Sequence, residues 1–156
     1  MNKIVSLAEM YPLMKEQLEN GGSTSFTIKG ISMTPMLKNG VDSVRLVKAS
    51  FPLKKYQLPL YRRKDGSVIL HRIVKVTEDG YVCRGDHQLI DEKYITDDMI
   101  VAVTEAYTHN GKWRSFDSFG QKTYAFFRVN TKWARHLYAK CLSLAKAVYH
   151  RLFRRS

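Results

Sequence analysis

Three kinds of side chain in this chain could together carry out acyl transfer: a serine framed by glycine and proline, a histidine in an apolar run, and a group of acids beyond it. Ser32 stands in KGISMTPML, residues 29–37. Gly30 lets the backbone approach a ligand closely, and Pro35 stiffens the turn that follows. Serines in turns commonly bond to nearby backbone, so Ser32 also reads as an ordinary turn hydroxyl. As a nucleophile it needs a base to take its proton. His71 lies in SVILHRIVKV, where strand alternation puts Ile69, His71 and Ile73 on one face and Leu70, Arg72 and Val74 on the other. A single strand histidine is often structural, yet an imidazole of pKa ~6.5 suits proton removal at neutral pH. The stretch RGDHQLIDEKYI then supplies Asp86, Asp91 and Glu92, any of which can orient an imidazole or simply decorate a solvated turn.

Other groupings carry less. Met33 and Met36 suit flexible apolar filling or a substrate groove. Cys83, His87 and Asp91 lack the spacing of a structural zinc motif, so no metal and no cofactor is expected. The two cysteines, Cys83 and Cys141, are far apart and match no redox motif, which suggests a reducing compartment.

These side chains must be positioned by a mainly β body. The runs SFTIK, SVRLV, LPLYR, SVILHRIVKV, YVCR and MIVAVTEAY have strand composition, and Asn39-Gly40, Asp65-Gly66, Asp79-Gly80 and Asn110-Gly111 are turn signals between them. Such dipeptides predict antiparallel hairpins. Ahead of them Ser6-Leu7-Ala8-Glu9 has the form of a capping box, and Gly21-Gly22 that of a helix stop. Pro12 belongs in a first turn, so the helix is expected to begin near Tyr11.

From about Gln121 the apolar residues Phe126, Trp133, Leu137, Cys141, Leu144, Val148 and Leu152 recur at helical spacing. Lys132, Arg135, Lys146 and Arg155 fall on the opposite side, which predicts one long basic amphipathic helix. The division is residues 1–24 as helix and linker, 25–117 as β core, and 118–156 as basic tail.

The formal charge of +12 is uneven. Nine of the 26 Lys and Arg residues follow Asp117, where no acid occurs, and the preceding 17 face 14 acids. The body is therefore nearly balanced. The tail's apolar face either packs on that body or meets an anionic membrane surface through residues 121–156. Cations interleaved with aromatic residues also suit phosphates and bases, which makes a non-catalytic binding protein the rival reading. No run of ~20 apolar residues is present, and the amino terminus lacks a signal-peptide core, so a cytoplasmic protein is expected.

GISMTPML, then VILHRIVKV, YVCRGDHQLID and MIVAVTEA, in that order and spacing across Phe26 to Tyr107, resembles the S24/S26 group of signal-peptidase-like serine peptidases. The resemblance implies an antiparallel β core of the signal-peptidase and LexA-like type. It also implies Ser32 as nucleophile and His71, preceding Arg72, as base in the manner of the endoplasmic-reticulum branch. Gly85-Asp86 matches the motif that closes the site, and the supporting acid falls at Asp86, Asp91 or Glu92. The family has Asn after that Gly-Asp, where this chain has His87. Some relatives bind the oxyanion with a Ser or Thr where Gly30 stands, which leaves backbone N–H groups for that task. Gly30, Met33, Pro35 and Met36 become the substrate-side residues.

Relatives carry a transmembrane anchor or a DNA-binding domain ahead of the Ser motif, and this chain has only a short helix there. A stand-alone serine peptidase cleaving a leader or precursor peptide in trans is therefore expected, with no nucleic acid as partner. Its activity should fall below pH ~6.5 as His71 protonates.

Overall fold

The computed structural model describes residues 7–153. Helix α1 spans Leu7–Glu19. The strands follow as β1 (Thr24–Thr27), β2 (Ser43–Val47), β3 (Pro59–Arg62), β4 (Val68–Leu70), β5 (Arg72–Thr77), β6 (Gly80–Arg84), β7 (Glu92–Ile95), β8 (Ile100–His109) and β9 (Lys112–Ser115). Helices α2 (Phe119–Asn130) and α3 (Lys132–Phe153) close the order. The protein is mainly β, as its turn signals and strand-like runs predict.

All strand pairing is antiparallel. One sheet has the order β1-β2-β8-β3-β4, with β9 also on β8, and a second has the order β5-β6-β7. The dipeptides at 65–66, 79–80 and 110–111 join β3 to β4, β5 to β6 and β8 to β9. Asn39-Gly40 instead lies inside the long loop, residues 28–42, that carries Ser32 between β1 and β2.

The larger sheet is buried on both faces at its centre. Leu60 of β3 and Ala102 of β8 point into a core with Met14 and Leu18 of α1, Met33, Leu37, Val44 and Leu46. Their neighbours Tyr61 and Val103 point into a second core with Ile73, Tyr81, Cys83 and Ile95 of the smaller sheet. Strand alternation sends successive side chains to opposite faces, so both faces of Pro-Leu-Tyr and Ala-Val are apolar. Each fully buried Leu or Ile contributes roughly 1.5–3 kcal/mol.

Three sequence expectations are revised. First, α1 starts at Leu7 and holds Pro12 in its interior, not its first turn. Losing one backbone hydrogen bond there is offset by the burial of Met14 and Leu18 further along the helix. Ser6 of the capping box lies outside the described residues, as do Arg154 and Arg155. Second, SVILHRIVKV is two strands in two sheets. β4 ends at Leu70, β5 starts at Arg72, and Leu70, His71, Arg72 and Ile73 are all buried, so the predicted alternation fails at His71. Third, the tail is two helices. Asn130 Nδ2 and Thr131 Oγ1 bond back to the carbonyls of Phe126 and Phe127 at 2.8 and 2.7 Å, which ends α2.

The body and the first of these helices form one unit. Gln121 and Ala125 of α2 are buried, and Tyr124 and Arg128 bond to Asp86. In α3, Trp133, Leu137, Tyr138, Leu142 and Leu144 are exposed. Packing on the body, one of the two readings of the tail, thus holds for α2.

Candidate active site

The Ser32 loop is closed at its base by Ile28 N–H donating to the Asp42 carbonyl at 2.9 Å and Gly40 N–H to the Ile28 carbonyl at 2.8 Å. Buried Met33, Met36 and Leu37 pin one side of it to the core. Gly30 takes φ of 98°, in the region that favours glycine, and donates its N–H to Asn39 Oδ1 at 2.9 Å. A side chain there would meet open space, so the requirement is conformational. Thr34 closes a turn on Ile31 through both its N–H and its hydroxyl. Ser32 is thus held at the crest of a braced loop.

A second turn, residues 85–88, is fastened against this one. The His87 N–H donates to the Ser32 carbonyl at 2.8 Å. A Cβ on Gly85 would stand 2.6 Å from that same oxygen and 3.1 Å from Gln88 Oε1, so only glycine fits. Asp86 is buried and accepts two hydrogen bonds from Arg72, at 2.8 and 2.7 Å, and one from the Tyr124 hydroxyl at 3.1 Å. Arg72 is itself wholly buried, reaching Met36 Sδ and the Tyr56 carbonyl and lying against the rings of Phe116 and Tyr124. The Arg72–Asp86 pair therefore clamps the turn to the core.

His71 occupies the crossing from one sheet to the other. Its Nδ1 lies 3.1 Å from the Tyr61 hydroxyl and 3.7 Å from Glu92 Oε2. Tyr61 donates to Glu92 Oε2 at 2.7 Å, and Arg63 donates to both oxygens of Glu92 at 2.6 and 2.7 Å. A phenol has one proton. Because that of Tyr61 goes to the carboxylate, its oxygen accepts from His71, which places the imidazole proton on Nδ1 and leaves Nε2 as the basic nitrogen. The Arg63 hydrogen bonds hold the Glu92 carboxyl below its usual value against the effect of burial, with the Tyr61 bond adding. Burial, with the Glu92 bond adding, pushes the Tyr61 phenol well above its ordinary value, so it stays a donor.

Burial also pushes the His71 imidazole down to about 4, with Glu92 pulling it partly back up. The midpoint expected near ~6.5 for an unperturbed imidazole moves accordingly. At neutral pH His71 is therefore uncharged.

Ser32 and His71 line one cleft of about 380 Å3. Phe26, Ile28, Met33, Leu60, Val68 and Leu70 form its apolar walls, with Lys29, Arg63 and Gln88 also contributing. Phe26 and Thr27 come from β1, and Val68 to Leu70 from β4, the two end strands of the larger sheet. Among the described residues neither the Ser32 hydroxyl nor His71 Nε2 makes a hydrogen bond.

Of the sequence candidates, Ser32, His71 and Met33 come together in this cleft. Gly30 shapes the loop beside it. Pro35 and Met36 line a different hollow, with Tyr107, Gln121 and Tyr124, and Met36 Sδ accepts from Arg72 and Gln121. Asp86 is committed to Arg72. Asp91 bonds Arg84 and Lys132, both at 2.8 Å. The acid beside Nδ1 is Glu92, and Tyr61 and Arg63, which escaped the sequence reading, hold it. Among the described residues no group of three or more His, Cys, Asp and Glu side chains is gathered as a metal would require. Cys83 is buried, and burial raises its thiol to about 12.

No protein-family model and no curated protein matches this chain.

Proposed function

We propose that this protein is a serine peptidase of the signal-peptidase-like kind, with Ser32 as nucleophile and His71 as general base. The observation that carries the reading is the shared cleft: a serine on a braced loop and a neutral, tautomer-locked histidine face one hollow between the two end strands of a sheet. Among the described residues β1 pairs only with β2, and β4 only with β3. An extended peptide can therefore pair with a free edge while its side chains enter the apolar walls. That geometry favours a peptide over a small polar substrate.

In the reaction Ser32 Oγ attacks the peptide carbonyl carbon while His71 Nε2 accepts the hydroxyl proton. The imidazolium so formed is stabilised by Glu92, partly through Tyr61. Backbone N–H groups, including that of Ser32, bind the oxyanion, each worth ~3 kcal/mol when well placed. The tetrahedral intermediate collapses as His71 returns its proton to the leaving amine, leaving an acyl-serine. Water, deprotonated by the same nitrogen, then releases the acid. The Oγ–Nε2 hydrogen bond belongs to the substrate complex, where catalytic pairs commonly tighten. A leader or precursor peptide supplied in trans fits a cleft that is open to an extended chain.

The test is reaction with a fluorophosphonate probe, read by intact mass. One adduct is expected on wild type, none on Ser32→Ala and strongly slowed labelling on His71→Ala. Equal labelling of all three would refute the dyad. The rival, a non-catalytic binder, would show no adduct at all.

A further inference from the structure

From His136 to Leu144 every described side chain of α3 is exposed, so its apolar side is left uncovered along with its polar one. The stripe read in the sequence includes Trp133, Leu137 and Leu144, which are 71%, 57% and 67% exposed, and exposed Cys141 lies between them. At the start of the helix the described contact to the body is polar, Lys132 Nζ to Asp91 Oδ2 at 2.8 Å. A helix whose apolar side served the core would have that side buried, as α2 buries Ala125. By helical period the sequence extends the stripe to Val148 and Leu152 and sets Lys132, Arg135 and Lys146 away from it, with Lys140 at its border. No acid occurs after Asp117.

We propose that α3 lies in the surface of an anionic lipid bilayer, with its apolar stripe at the level of the acyl chains and its cations among the headgroups. Lipid satisfies both halves of the helix at once, because apolar burial and attraction to anionic headgroups act together. A second copy would cover the stripe but bring two cationic helices together with no acid on either to offset them. Nucleic acid would neutralise the cations and leave Trp133 and the leucines in water. Among the described residues no helix is long and apolar enough to cross a membrane, so the contact is along the surface. The peptidase reading does not depend on this contact.

The experiment is flotation of the full chain with vesicles of phosphatidylcholine alone or with about one-third phosphatidylglycerol. Binding at least about tenfold stronger to the anionic vesicles is expected, weakening with added salt. Leu137→Ser/Leu144→Ser, at exposed positions, should lose about tenfold of it while keeping the wild-type rate of fluorophosphonate labelling. In a Trp113→Phe background, Trp133 emission should shift to the blue on anionic vesicles. Ser32→Ala should float as wild type does, so failure of the peptidase reading leaves this result intact. Absence of flotation, or flotation indifferent to the double substitution, overturns the proposal. So does a dimer that the same substitutions dissociate, or tighter binding to duplex DNA than to vesicles.

Discussion

Replacing Glu92 by Gln isolates the acid that serves His71. The substitution keeps the shape of the side chain and removes a charge 3.7 Å from Nδ1. At that distance a unit charge is worth about 4 kcal/mol at an effective dielectric of ~20 and about 1 kcal/mol in bulk water. The pair is mostly buried, with side-chain exposures of 5% and 24%, so the effect lies between those limits. Arg63, left without its carboxylate, would add to the destabilisation of an imidazolium. The transition state, which contains that imidazolium, should therefore lose about 1–4 kcal/mol, or roughly five- to 1000-fold in acylation rate. The rate of fluorophosphonate adduct formation at pH 7 measures it. Asp91→Asn is the matched control, since Asp91 faces Arg84 and Lys132 and its loss should change the rate by less than about threefold. If Asp91→Asn slowed labelling as much as Glu92→Gln, or if Glu92→Gln labelled like wild type, the assignment of Glu92 would be wrong.

The acid limb of the labelling rate should have its midpoint at about 4, where the buried imidazole gains its proton, provided circular dichroism shows the protein still folded; a midpoint near 6.5 would show that His71 is not desolvated. The same lowered value bears on stability. Neutral His71 contributes fully above its unfolded value of ~6.5, and the contribution is lost as pH falls through about 4. About 3 kcal/mol is at stake, so urea unfolding of His71→Gln should depend less on pH than wild type over that window. Gly85→Ala puts a methyl group 2.6 Å from the Ser32 carbonyl, and should cost about 1–3 kcal/mol of stability together with most of the labelling. Asp86→Asn breaks a buried ion pair and should cost about 3–5 kcal/mol in thermal or urea denaturation; a loss below about 1 kcal/mol would mean the pair is not a clamp. Iodoacetamide at pH 8 should alkylate exposed Cys141 and spare buried Cys83 in the native protein, so two adducts before unfolding would contradict the burial.

The local signals in the chain were sufficient for what is local in the fold. Asp65-Gly66, Asp79-Gly80 and Asn110-Gly111 close hairpins because few residues accept the turn's backbone angles, and that is decided within a handful of residues, whereas Asn39-Gly40 sits inside the Ser32 loop. Gly30 and Pro35 mark the Ser32 loop for the same reason, and the apolar period of the tail marks its helices. The amphipathic pattern did not tell α2 from α3. Each has an apolar side, and only the packing of Gln121, Ala125 and Tyr124 on the body separates the docked helix from the one with its stripe in solvent.

The electrostatics of the site belong to the tertiary structure. Asp91 immediately precedes β7 and Glu92 opens it, and adjacent side chains of an extended chain point to opposite faces. Which of them meets His71 depends on how the two sheets lie together, and sheet stacking sends Glu92 inward to Tyr61 and Arg63 and leaves Asp91 with Arg84 and Lys132. Tyr61 reaches His71 because β3 pairs with β4, setting Tyr61 beside Ile69, and that register is invisible in a run reading LPLYR. The chain alone determined a candidate nucleophile and a candidate base. Their environment, a desolvated imidazole with its proton directed onto Nδ1, comes from residues distant in sequence that are brought within 4 Å only when both cores close.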